Sequence, residues 1–65
     1  MKILVNGASH EIAVPTLEAA LLELGFRDRI VATAVNGEFV AVQRRSGREL
    51  SDGDRVEILA PMQGG

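Results

Sequence analysis

The chain predicts an α+β fold, a small sheet of four to five strands covered on one face by a single helix. Three observations carry that expectation. The dipeptide Asn-Gly occurs twice, as Asn6-Gly7 and Asn36-Gly37, each time between runs of apolar and β-branched residues, which is a strong short-range hairpin signal. Between the two hairpins lies one apolar stripe at helical spacing with a start and a stop signal of its own. Near the end, the turn-forming run Ser51-Asp52-Gly53-Asp54 precedes an alternating segment that reads as a last strand.

The elements follow in order. Met1, Ile3 and Val5 share one face of the first strand, with Lys2 and Leu4 on the other. In the return strand Ile12 and Val14 alternate with Glu11 and Ala13, and Pro15 closes the run because it has no N–H to give to a ladder. Thr16 is placed as an N-cap, and Leu17, Ala20, Leu21 and Leu24 fall at i, i+3, i+4 and i+7. Glu18 in the first turn suits the helix dipole. Gly25 suits the left-handed position after the helix, with Phe26 folding back on Leu21. Such a short helix is stable only when packed on a sheet.

After the charged connection Arg27-Asp28-Arg29, Ile30 to Val35 reads as a third strand and Glu38 to Val42 as its short return. The buried face of this second hairpin is open, because Val31, Thr33 and Val35 compete with Ile30, Ala32 and Ala34. Gln43 to Leu50 is polar and irregular, with Leu50 expected to anchor it in the core. Arg55 to Ala60 forms the last strand, with Val56 and Ile58 inward and Arg55, Glu57 and Leu59 outward. Local signals leave the pairing of the first and last strands open.

Composition narrows the function. The chain has 65 residues, no cysteine, tryptophan or tyrosine, and one histidine. A fold of this size is one domain, expected here over residues 1–60, with little room for a deep cleft, which argues against an independent enzyme. Without cysteine there is no disulfide, thiolate zinc site or redox pair. The net charge is -2, with both signs interleaved, so a nucleic-acid partner is not expected. Arg44, Arg45 and Arg48 form the one basic concentration and read as a solvated turn. No apolar run reaches membrane-spanning length and no signal-peptide pattern opens the chain, so a cytoplasmic location without a membrane partner is expected. His10 reads as a surface residue, and Asp52 with Asp54 as a turn, so no metal site is expected.

The last five residues, Pro61-Met62-Gln63-Gly64-Gly65, belong to no element and read as a flexible tail over 61–65. At a glycine usage of about 7%, two glycines end a chain by chance with a probability of roughly 0.5%. Without a Cβ, such a tail can thread a narrow channel and approach a phosphate or nucleophile closely. A terminal carboxylate is a poor electrophile until its oxygen is made a leaving group. Conversion to an acyl-adenylate does this, after which an amine, a thiol or a sulfide can take the acyl group.

Together, the two Asn-Gly hairpins, the Thr16-Leu17 helix start, Asp52-Gly53-Asp54 before the last strand and the Gly64-Gly65 end resemble the small sulfur carriers of thiamine biosynthesis, over essentially the whole chain. The resemblance implies a ubiquitin-like β-grasp fold with the first and last strands parallel at the sheet centre. It further implies that a ubiquitin-activating-like adenylyltransferase adenylates Gly65 using ATP and magnesium, with no cofactor bound to the carrier itself. Sulfur from a cysteine-derived persulfide then converts Gly65 to a thiocarboxylate, which thiazole synthase uses. Gly64 is the spacer in that scheme, and the chain is a recycled co-substrate with no catalytic residue.

Partner recognition is then expected on the folded surface. Leu4 and Leu59 point outward and, if the first and last strands are neighbours, form an apolar patch beside the tail, with Arg55 and Glu57 orienting the activating enzyme. The alternatives are the related small subunit of molybdopterin synthase, whose tail chemistry is shared, a carrier for another sulfur-containing metabolite, a protein modifier joined through Gly65 to lysine, and a β-grasp binding module with an incidental tail.

Overall fold

The computed structural model describes residues 1–26 and 30–60; the connection Arg27-Asp28-Arg29 and the expected tail with Gly64 and Gly65 lie outside the described residues. Strand β1 (Lys2–Val5) turns at Asn6-Gly7 into β2 (Ala8–Glu11). Helix α1 (Leu17–Glu23) follows, then β3 (Ala32–Val35), β4 (Glu38–Val40), a 3₁₀ helix (Val42–Gly47) and β5 (Arg55–Leu59). The sheet runs in the order β2-β1-β5-β3-β4. The first and last strands are parallel neighbours, as the resemblance implies, and every other pair is antiparallel.

Both Asn-Gly dipeptides make the expected turns. Asn6 and Asn36 take positive φ of 49° and 51°, a region where asparagine is far better tolerated than most residues. The helix has both expected caps. The Thr16 hydroxyl accepts from the Ala19 N–H at 3.2 Å, and Gly25 turns left-handed with φ 92°. The Phe26 N–H reaches the Leu21 carbonyl at 2.9 Å and the Gly25 N–H the Leu22 carbonyl at 3.1 Å, the paired bonds of a Schellman motif.

The core joins Ile3, Val5, Val35, Val56 and Ile58 from the sheet to Leu17, Ala20 and Leu21 from the helix. It also settles the face of the second hairpin, with Val31, Thr33 and Val35 inside. Leu50 is buried as expected, and its N–H bonds the Pro15 carbonyl at 2.8 Å, tying the late segment to the helix entrance. The Asp-Gly-Asp turn is tied to β1, since Asp52 Oδ1 accepts from the Lys2 N–H at 2.7 Å and the Gly53 N–H donates to the Lys2 carbonyl at 2.7 Å.

Beyond the third strand starting at Ala32 and the last stopping at Leu59, three local expectations change. The return strand ends at Glu11; Ile12 still exchanges two backbone bonds with Met1, but Val14 lies in the connection to the helix. The fourth strand stops at Val40, because the chain winds into the 3₁₀ helix and leaves Val42 exposed.

The third change concerns charge. Arg45 is not solvated with Arg44; only 9% of it is exposed, and its guanidinium is enclosed between the 3₁₀ helix and the sheet. Nε donates to Thr33 Oγ1 at 3.1 Å and Nη2 to the Val31 carbonyl at 2.6 Å. The Thr33 hydroxyl in turn donates to the Val40 carbonyl at 2.8 Å. A buried guanidinium is tolerated only when its donors find acceptors, and β3 supplies them here.

Candidate functional site

The outward row of β5 is as the alternation predicts, but its neighbours differ from expectation. Leu4 pairs with Arg55, and together with Glu57 and the turn glycines Gly7 and Gly37 they line a shallow depression of about 370 Å³. Leu59 is not part of it. It pairs with Ala32 of β3, and a rise of about 3.3 Å per residue puts it roughly 13 Å along the strand from Arg55. The expected Leu4 and Leu59 patch therefore does not form. The strands are adjacent, yet β1 turns away at Asn6 before it reaches the level of Leu59.

The apolar partners of Leu59 come from the other side of the sheet. Ala32, Ala34, Phe39 and Glu57 surround it in one hollow of about 100 Å³, and Ile30, Val31, Ala32 and Ala60 in an adjoining one of about 320 Å³. The small side chains of Ala32 and Ala34 leave the floor low, so Leu59, Phe39 and Ile30 stand clear of it, 67%, 73% and 84% exposed. A contiguous exposed apolar surface of this kind marks an interaction site more often than scattered leucines do. It adjoins Ala60, from which the chain continues to Gly64 and Gly65.

The alternation of the strands alone gives neither Phe39 nor Ile30 a place on a docking surface. One signal was present: Phe39 is one of only two aromatics and alternates with Val40 in a short strand, so burying Val40 turns Phe39 out.

Electrostatics on this face are mild. Arg55 and Glu57 are exposed and follow one another on the outward row. At the start of β5 the Asn36 side-chain amide, 3.0 Å away, and the Ser51 N–H, 2.8 Å away, hold the Asp54 carboxyl below its ordinary 3.8, with the charge of Arg48 adding to them. That carboxylate closes a turn. His10 is exposed on β2 opposite Ile3, and among the described residues no three His, Cys, Asp or Glu gather as a ligand set for a metal. No helix among the described residues is long and apolar enough to cross a membrane.

The fold of the described residues and the sequence leading to Gly64-Gly65 can be compared with known proteins. Residues 3–65 match the ThiS family. The sulfur carrier protein ThiS of Thermus thermophilus is 38% identical over 61 residues, covering 94% of this chain and 95% of that one. A thiazole synthase of Paramagnetospirillum magneticum is also 38% identical, over 66 residues, but the match spans all of this chain and only 20% of the relative. Among solved structures, the crystal structure of the thiamine biosynthesis protein ThiS from Geobacter metallireducens superposes with a TM-score of 0.84 at 28% identity, covering all of both chains. The solution structure of the same bacterium's thiamine biosynthesis protein gives 0.79. With a ubiquitin-like β-grasp fold and a family match running to its last residue, the chain belongs to the ThiS family, the sulfur carriers of thiamine biosynthesis.

Proposed function

We propose that this carrier works through its terminal carboxylate at Gly65. A ubiquitin-activating-like adenylyltransferase, using ATP with magnesium, joins the carboxylate oxygen to the α-phosphate and releases pyrophosphate. The terminal sulfur of a cysteine-derived persulfide attacks the acyl carbon and displaces AMP, leaving an acyl disulfide; a second thiol then attacks the cysteine sulfur, forms a disulfide with it and releases the acyl-bound sulfur. The product is a thiocarboxylate, whose sulfur is more polarisable and nucleophilic than the oxygen it replaces, and thiazole synthase is the acceptor. Gly64 gives the backbone the thinness to enter the adenylating site.

The observation that carries this reading is that the family match extends through Gly64 and Gly65 in a chain with no cysteine of its own. The match to part of a thiazole synthase supports that enzyme as the partner, since a carrier-like segment is there part of the same polypeptide. Docking falls to the outward face. Leu59 with Phe39 and Ile30 supplies apolar area next to the tail, while Leu4, Arg55 and Glu57 line the neighbouring depression and set orientation.

Intact mass tests the reading. After incubation with the activating enzyme, ATP and a sulfur donor, the chain should gain the mass difference between sulfur and oxygen, and a chain lacking Gly65 should gain nothing. Covalent adducts on lysine would instead mark a protein modifier, and indifference to ATP a binding module.

A further inference from the structure

The parallel pairing of β1 with β5 is short, and its last rung is not backbone. Alternate N–H groups of the first strand reach β5 carbonyls, Leu4 to Asp54 at 2.9 Å and Asn6 to Val56 at 2.9 Å. In a parallel ladder the next rung takes the Ile58 N–H to the Asn6 carbonyl and returns a donor to the Ile58 carbonyl two residues further on. The chain cannot supply that rung, because it reverses at Gly7. The Asn6 side chain does so in its place. Its Oδ1 accepts from the Ile58 N–H at 2.8 Å, and its Nδ2 donates to the Ile58 carbonyl at 2.9 Å. One amide thus stands in for a missing peptide unit of β1.

Asn36 does something related at the other end of the strand. Its Oδ1 accepts from the Arg55 N–H at 2.9 Å, and its backbone N–H donates to the Arg55 carbonyl at 2.7 Å. Both asparagines occupy left-handed turn positions and both turn a side-chain amide onto β5. They differ in which end they hold. Asn36 holds the entry, whereas Asn6 holds Ile58, after which only Leu59 and Ala60 separate the ladder from residues 61–65.

We infer that Asn6 is a positioning residue for transfer at Gly65: its amide fixes the exit direction of β5 and so the line along which the tail leaves the domain. The inference rests on the reading of Gly65 as the adenylated group. Without the amide, β5 keeps its pairing with β3 as far as Leu59 but loses both bonds on the β1 side at Ile58. The strand end then samples more directions, and fewer docked encounters carry the carboxylate to ATP. Asn6 also lines the depression beside Leu4, but its amide is turned onto Ile58, and the apolar surface of Leu59, Phe39 and Ile30 is unchanged, so the cost falls on turnover more than on binding.

The test uses the full chain with its activating enzyme. Asn6→Gly keeps the left-handed turn and deletes the amide. Asn6→Asp keeps the acceptor but sets a carboxylate oxygen against the Ile58 carbonyl, and it is the second variant should the first fold poorly. Asn36→Gly is the comparator at the opposite end. Amide exchange at Ile58, relative to Leu21 inside the helix, is expected to quicken at least about tenfold in Asn6→Gly, as the loss of its protecting bond predicts, whereas Asn6→Asp keeps that acceptor and is read by kcat. In ATP–pyrophosphate exchange, kcat is expected to fall roughly fivefold to thirtyfold, with KM for the carrier within about twofold. Asn36→Gly is expected to hold kcat within about twofold.

Unchanged relative exchange at Ile58 in Asn6→Gly, unchanged kcat in either variant, or a rise in KM at constant kcat each overturns the role of Asn6. A wild-type chain that supports no exchange refutes the reading of Gly65, and the inference falls with it. Wild-type exchange matched by the Asn6 variants refutes the role of Asn6 alone.

Discussion

Replacing Thr33 with valine removes one oxygen from a buried polar contact, that of Thr33 with Arg45 and the Val40 carbonyl. Thr33 is 2% exposed, and valine reproduces its shape, so packing changes little. The hydroxyl has two partners, Arg45 Nε at 3.1 Å and the Val40 carbonyl at 2.8 Å. An acceptor lost from a buried charged donor costs about 1–3 kcal/mol, and the carbonyl loses a neutral bond of about 1 kcal/mol, partly offset by the added methyl. The net expectation is a loss of about 2 kcal/mol. A domain of this size has about 3–10 kcal/mol in all, so the midpoint of thermal unfolding should fall by roughly 8–16 °C.

Urea unfolding followed by circular dichroism measures the loss, and a double-mutant cycle with Arg45→Met locates it. Once the guanidinium is gone, Thr33→Val should cost less than about 0.5 kcal/mol, leaving a coupling of about 1–2 kcal/mol. A valine variant as stable as the wild type would show that neither bond of the hydroxyl contributes. An equal cost in both backgrounds refutes the reasoning, because the hydroxyl would then not be serving the arginine.

Other consequences concern the surface and the turn. Phe39→Ser with Leu59→Ser should raise KM for the carrier in adenylation about tenfold to a hundredfold, from the apolar area lost at docking, while unfolding shifts by no more than about 0.5 kcal/mol per site. Unaltered adenylation kinetics would remove that face from the docking surface. Asp54 links stability to acid. Its folded pKa lies below the unfolded 3.8, so its contribution is complete above that value and lost as pH falls through the lowered folded value. Asp54→Asn should therefore flatten the acid limb of the stability profile; an unchanged limb in a pH series of urea melts would show that the carboxylate contributes nothing there.

Much of the fold was legible because its signals are local. Asn-Gly sets each hairpin by tolerating positive φ, and Thr16 and Gly25 bracket the helix through bonds to its own backbone. Tertiary contacts account for what was not. Arg45 looks like surface because charge type alone predicts water; only the folded neighbours Thr33 and Val31 supply acceptors inside. The 3₁₀ helix is too short to carry a period, so Val42 reads as the end of a strand. The neighbours of Leu59 depend on where β1 stops, and the asparagine that marks the stop also bonds Ile58 with its amide. Placing Leu59 beside Phe39 requires the register of three strands at once.

The proposed function puts one sulfur on Gly65. Intact mass spectrometry after incubation with the activating enzyme, ATP, magnesium, a persulfide donor and a thiol reductant reads that exchange. The predicted result is one oxygen replaced by one sulfur, with fragmentation placing the change on Gly65 and none in a chain lacking that residue. An unmodified chain in the presence of a partner shown to be competent with another carrier, or sulfur found anywhere else, would contradict it.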